Sequence, residues 1–148
     1  HGFPYAVGIA LGLRIKSMKN KVITVLGDGE CQEGTVWEAC NIAANRKLGN
    51  ICAIVDWNKS AKQLMPIEDL EARWKSFGWH VHIVNGHSET ELRSAFDIID
   101  FGSAKPTVII ADNIKGKGVS FVEGHGVWHH RVPTSEEMNA IKVELGIQ

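Results

Sequence analysis

Val22-Ile23-Thr24-Val25-Leu26-Gly27-Asp28-Gly29-Glu30 is an apolar run that ends in a carboxylate bracketed by glycines. Thirty residues after Asp28, Asn58 closely follows a second apolar run, Ile51-Cys52-Ala53-Ile54-Val55. Short runs of this kind read as buried parallel strands, and the stretch between them reads as a helix. A strand–helix–strand unit returns the chain to the same end of its sheet by a right-handed crossover. Asp28 and Asn58 are therefore expected side by side at the carboxyl edge, where open α/β sheets bind ligands. A carboxylate, an amide oxygen and a glycine turn beside a helix amino terminus suit Mg²⁺ or Ca²⁺ together with a diphosphate.

Working outward, the pattern continues as alternating strands and helices. Residues 3–18, rich in Ala, Gly and aliphatics, read as a helix apolar nearly all round and buried against partners partly outside this chain, its glycines tolerated where another backbone packs closely. Val36, Cys40 and Ala43 form the stripe of a helix over 33–48, with Gly49 as its stop. Ile67, Leu70, Trp74 and Phe77 mark a third helix opening near Pro66. Strands are expected at His80–Val84 and Thr107–Ala111. Ser88 with Glu91, and Thr134 with Glu137, have capping-box spacing ahead of two further helices, and Gly146 can end the last one. The whole predicts an α/β three-layer sandwich around a mainly parallel sheet, one domain over residues 1–148. Lys115 through Pro133 lacks periodicity, and loops of such length in compact domains usually carry function or are disordered.

Composition narrows the classes. The 148 residues carry a net charge of −1, with 44% hydrophobic and 22% charged residues, which gives no basic footprint for nucleic acid or an anionic membrane. No apolar stretch approaches the ~20 residues of a membrane helix. The three cysteines, Cys31, Cys40 and Cys52, form no Cys-x-x-Cys pair, and they read as reduced thiols of a cytoplasmic protein.

Several side chains are candidates for chemistry. Asp28, Asn58 and the Ser60 carbonyl offer three hard oxygens to a divalent cation, and the Gly29 N–H can approach a phosphate closely. The competing reading is an ordinary glycine turn with a loop-capping asparagine. Glu33 and Glu38, in the first turns of the second helix, either complement its dipole or form a proton-relaying carboxylate pair at a subunit interface. Lys115-Gly116-Lys117-Gly118 is a phosphate clamp or a solvated turn. His125, Trp128, His129 and His130 crowd into six positions. His125 and His129 have a spacing found among zinc ligands, but no matching cysteine pair exists. An imidazole that donates to phosphate or exchanges protons with a substrate is the alternative. His80, His82 and His87 read as structural.

Taken together, Gly27-Asp28-Gly29-Glu30-Cys31-Gln32-Glu33-Gly34, Trp37-Glu38-Ala39 and Asp56-Trp57-Asn58-Lys59 resemble the thiamine diphosphate signature of transketolases. Phe77-Gly78-Trp79, Gly86-His87, Lys115-Gly116-Lys117-Gly118 and Trp128-His129 extend the likeness in order along the chain. The resemblance implies the thiamine diphosphate-binding fold and, more narrowly, the amino-terminal subunit of a split transketolase. It implies that Gly27, Asp28, Gly29, Glu30, Asn58 and His129 hold the cofactor and that Asp28, Asn58 and Ser60 hold the metal. It also implies catalytic roles for His129, Glu33 and Glu38, the two glutamates lying in a proton relay at a dimer interface.

By the same resemblance, the reaction is transfer of a two-carbon ketol unit from a ketose to an aldose or aldose phosphate. The glutamate that activates the cofactor belongs to a pyrimidine-binding, carboxyl-terminal partner subunit, within a homodimer or heterotetramer. Two departures stand out. The family's region preceding His1-Gly2, with further histidines, has no counterpart here, so a domain shortened at its amino terminus is expected. Gln63-Leu64-Met65 replaces a segment that usually ends in Asp-Gly. The alternatives are a decarboxylating thiamine enzyme, such as a 1-deoxyxylulose-phosphate synthase or a 2-oxo acid dehydrogenase subunit, and a non-catalytic remnant.

Overall fold

Four stretches dense in β-branched residues pair into one sheet, as a computed structural model of the chain describes for residues 1–63, 65–124 and 126–147. They are β1 (Val22–Gly27), β2 (Ile51–Trp57), β3 (His80–Asn85) and β4 (Thr107–Asp112). All pairings are parallel and the order is β1-β2-β4-β3. β2 and β4 are the central strands, and Ile51, Cys52, Ala53, Val55 and Val108 to Ile110 are fully buried. A strand covered on both faces reads as a continuous apolar run rather than an alternating one. Each strand runs one or two residues beyond its apolar core, so Gly27 pairs with Asp56 and Trp57 with Asp112. The polar carboxyl ends thus lie level with one another.

The helices are α1 (Gly2–Ile15), α2 (Gly34–Asn45), α3 (Leu70–Ser76), α4 (Glu89–Asp97) and α5 (Ser135–Glu144). α1, α2 and α3 pack on one face against Leu26, Ala53, Val55, Val108 and Ile110. α4 covers the other, with Ala95 against Cys52, Ile109 and Ala111. This is the expected three-layer α/β sandwich. An aromatic cluster joins the first layer to the sheet. Trp74 lies 4.9 Å from Trp79, 5.4 Å from Trp37 and 5.7 Å from Phe3, ring centre to ring centre. Trp79 donates through its indole to the Cys40 carbonyl at 3.0 Å, and Trp37 to the Cys31 carbonyl at 2.8 Å. α2 is thereby tied to both the aromatic cluster and the turn after β1.

Several expectations are corrected. α1 is buried on one face only, through Phe3, Ala6, Val7 and Ala10, while Tyr5 and Ile15 are largely exposed. A Cβ on Gly8 or Gly12 would meet nothing within 4 Å, so no other part of the described chain packs closely on those glycines. α2 ends at Asn45, and the left-handed residue that follows is Lys47 (φ 54°) rather than Gly49. Gly49 is required for a different reason, since a Cβ there would fall 1.8 Å from the Ser103 carbonyl oxygen. α3 opens at Leu70, not near Pro66, because the Asp69 carboxylate caps it by accepting from Ala72 N at 2.8 Å. Thr134 and Glu137 make the full reciprocal box. Ser88 makes only half of one, because the Glu91 carboxylate reaches past it to accept from Asn85 N at 2.8 Å. Gly146 does end α5 in the left-handed conformation, φ 63°.

Trp74 is completely buried, so its truncation leaves a cavity at the junction of α1, α2, α3 and the sheet. Trp74→Ala is expected to cost about 3–5 kcal/mol in urea-induced unfolding. A loss below about 1 kcal/mol would show that this cluster is not a structural anchor.

Candidate functional site

The parallel ladder continues one residue past β1, where Asp28 N donates to the Asp56 carbonyl at 3.2 Å. The chain then turns sharply. The Glu30 carboxylate accepts from Gly27 N at 2.8 Å and closes this turn, so Glu30 serves the loop's geometry. Asp28 is 9% exposed. Its Oδ2 accepts from Ala61 N at 3.2 Å, and the adjacent Ser60 N donates to Asn58 Oδ1 at 3.0 Å. Successive amides of one turn therefore bind the two side chains, which converge as the crossover topology requires. Lys59, at φ 64°, occupies the left-handed corner between them, and its ammonium pairs with Asp112 Oδ1 at 2.6 Å. Gln32 clamps the same loop from the side, donating to the carbonyls of Ala61 at 3.0 Å and Met65 at 2.5 Å.

These donors suit a hard divalent ion. A carboxylate, an amide oxygen and the Ser60 carbonyl are all oxygens, which Mg²⁺ and Ca²⁺ prefer. Among the described residues no group of three His, Cys, Asp or Glu side chains lies close enough to hold a metal by itself. A cation here would have one carboxylate as its charged protein ligand, so a polyanionic ligand such as a diphosphate would have to supply the balance.

His129 ends a single helical turn, Gly126–His129, and is exposed. Its Nδ1 lies 3.2 Å from Lys115 Nζ, and its ring meets that of His130 edge-on at 4.5 Å. Trp128 anchors the turn, donating to the Phe121 carbonyl at 3.2 Å under the Arg131 guanidinium. Lys115 also lines a cavity of about 230 Å³ shared by Asn58, Ser60, Asn113, Gly124 and Gly126, which connects the His129 loop to the Asn58 turn. A larger cavity of about 530 Å³ opens beside Asp28 and Gln32, under the loop leading to Leu70. Lys115-Gly116-Lys117-Gly118 is a wound turn closed by Gly124 N donating to the Lys115 carbonyl at 2.8 Å. Gly116, at φ 73°, has no room for a side chain, since a Cβ would fall 2.4 Å from Val122 Cγ1.

Glu38 is exposed on α2, whereas Glu33, expected in its first turn, is the extended, exposed residue just before it, and neither hydrogen-bonds to Asp28, Asn58 or His129. His125, one half of the zinc spacing, and Leu64 of the replaced loop lie outside the described residues. His87 is structural, its Nε2 accepting from Ile114 N at 2.8 Å. Sequence reasoning missed the roles of Gln32, Asp56 and Asn113. Gln32 and Asp56 stand inside the signature segments, but Ala61 and Met65, which Gln32 reaches, and Asn113, which Asp56 reaches, are distant in sequence.

A family model described as "Transketolase, thiamine diphosphate binding domain" matches residues 14–148. The chain belongs to this transketolase family. It is 39% identical to the 6-deoxy-6-sulfo-D-fructose transketolase subunit of Clostridium sp. (strain MSTE9), over 97% of this chain and 54% of that protein. It is 38% identical to an apulose-4-phosphate transketolase subunit of Actinobacillus succinogenes, over 98% of this chain and 54% of that protein. The crystal structure of transketolase from Campylobacter jejuni superimposes with a TM-score of 0.89 at 30% identity, over 99% of this chain and 25% of the other. The transketolase-family chain thus spans about half the length of the curated subunits it matches.

Within this transketolase-family domain the three thiols are buried and unpaired. Burial pushes Cys31 up to about 12, and the neighbouring carboxylates of Asp28 and Glu30 add to the effect. Burial alone takes Cys52 up to about 12, and burial with the nearby Cys31 raises Cys40 further. Thiolate is the reactive form, so none of the three is a nucleophile near neutrality. A disulfide reagent at pH 8 should modify no cysteine in the folded chain and all three in urea. Fast modification of Cys31 in the folded chain would contradict the packing around Asp28. Because these values lie above those of the unfolded thiols, their contribution to stability is intact below about pH 9 and is lost as pH rises towards 12.

Proposed function

We propose that this chain is the diphosphate-holding half of a transketolase, moving a two-carbon ketol unit between sugar phosphates. The observation that carries this reading is the convergence of Asp28 and Asn58 on the successive amides of Ser60 and Ala61. In it, Asp28, Asn58 and the Ser60 carbonyl hold Mg²⁺ or Ca²⁺, and the ion neutralises the diphosphate of thiamine diphosphate. Gly27 and Glu30 shape the turn that directs the Gly29 amide towards that diphosphate. Thiamine diphosphate, when bound, supplies the electron sink that lets a carbon–carbon bond break.

The remaining roles fall to this chain's side chains. His129 donates to phosphate oxygen or exchanges a proton with a substrate oxygen, a role suited to an imidazole near neutral pH. Lys115, beside it, adds positive charge facing the same anion. Glu33, just before α2, and Glu38, on it, are both exposed, and in this reading they meet a second protomer and relay protons between sites. That partner is a pyrimidine-binding subunit carrying the activating glutamate, in a dimer or heterotetramer of the cytoplasm. The names of the similar proteins, each called a transketolase subunit, support a two-chain enzyme.

Two measurements test the reading. Calorimetric titration of thiamine diphosphate with Mg²⁺ should show binding that Asp28→Asn weakens by more than the roughly 10–100-fold typical of outer-shell changes. Ketol transfer should appear only when a pyrimidine-binding partner is added. Unchanged binding by Asp28→Asn would remove the metal assignment, and turnover by this chain alone would remove the divided active site.

A further inference from the structure

Asp56 sits near the carboxyl end of β2, between β1 and β4. Its carboxylate is fully engaged by amides from two different strand ends. Oδ2 accepts from Asn58 Nδ2 at 2.9 Å, and Oδ1 accepts from Asn113 Nδ2 at 2.5 Å. An ionised carboxylate offers acceptors only. Each amide must therefore turn its NH₂ towards Asp56 and its carbonyl oxygen away.

For Asn58 this has a chemical consequence. A primary amide is nearly symmetric in shape, and a half-turn about its last bond exchanges oxygen for NH₂. The exchanged form would present N–H dipoles, not an oxygen, to a cation. Asp56 holds the NH₂ end and Ser60 N–H donates to Oδ1 at 3.0 Å, so the two set the same orientation, with Asp56 engaging the end that faces away from the turn. Asn113 shows how strong the constraint is. Its oxygen is buried with no hydrogen-bond partner among the described residues, yet its NH₂ still faces Asp56. Gly86 leaves space for this arrangement, since a Cβ there would fall 1.7 Å from Asn113 Oδ1.

We propose that Asp56 is a positioning residue that fixes the amide of Asn58 with its oxygen presented to a divalent cation. This rests on the metal site read above. The test uses the full chain with Mn²⁺ and thiamine diphosphate in excess, free Mn²⁺ being read by electron paramagnetic resonance. Asp56→Asn keeps the shape but removes the carboxylate's hold on both amides, leaving Asn58 oriented through Ser60 N–H, and it should weaken Mn²⁺ binding about 10–100-fold with little change in the urea midpoint. Asp97→Asn removes an equal charge from the exposed carboxyl end of α4 and touches neither amide nor the Asn58 loop, and it should stay within about 3-fold of the parent, well short of the outer-shell range. Parent-like binding by Asp56→Asn, or an equal loss in Asp97→Asn, overturns the proposal. A parent chain that holds no Mn²⁺ overturns the site reading itself and this proposal with it. Should Asp56→Asn fail to fold, nitrogen-15-labelled parent chain decides. The Asn58 side-chain amide protons should be protected from solvent exchange, and rapid exchange would overturn the assignment.

Discussion

The register between β1 and β2 is the constraint on which the rest of this structure depends. Gly27 stands opposite Asp56, so the two strands end level and the next residues on each chain share one small space. One further ladder bond, from Asp28 N to the Asp56 carbonyl, extends the register past the strand itself. Asp28 then reaches one amide of the turn after β2, and Asn58 reaches its neighbour. A slip of one residue would exchange the faces of every β1 side chain and take Leu26 out of the core. The buried face and the polar edge therefore specify the same alignment.

The site is rigid because its support is apolar and extensive. The turn after β1 leads through Cys31 and Gln32 into α2, whose inner stripe is completely covered by α1, α3 and the sheet. Trp37 holds the Cys31 carbonyl, and Trp79 holds that of Cys40. On the other side the Asn58 loop is clamped by Gln32 and by the Lys59–Asp112 pair. A metal or phosphate ligand would thus meet donors already fixed in place, which lowers the ordering cost of binding. The His129 turn is attached more lightly, through Trp128 and the wound Lys115–Gly124 segment.

Much of this was legible in the sequence, for physical reasons. Four runs of β-branched residues became four strands, but only β2 and β4 are covered on both faces, as their continuous apolar runs require; β1, expected to be buried, is an edge strand with Ile23 and Val25 exposed. Strand ends were less legible, since Asp56 and Asp112 pair in the ladder although aspartate is depleted in strands. Helix limits depended on single local bonds. The Asp69 cap starts α3 later than Pro66 suggests, and Lys47 takes the left-handed turn that Gly49 is suited to. The juxtaposition of Asp28 and Asn58 followed from crossover topology alone. The Asp56–Asn113 hydrogen bond did not, because it joins residues 57 apart whose pairing depends on β4 lying next to β2. Nothing in a linear pattern specifies that strand order.

If the edge formed by β1 and β2 is a divalent-cation site for a diphosphate, anomalous X-ray scattering will locate the ion there. Crystals grown with Mn²⁺ and thiamine diphosphate give the most direct measurement. One strong peak is expected at about 2.0–2.6 Å from Asp28 Oδ1, Asn58 Oδ1 and the Ser60 carbonyl oxygen, the range of hard-cation ligand distances. A peak held by other residues, with the cofactor's phosphates lying away from this turn, would contradict that assignment.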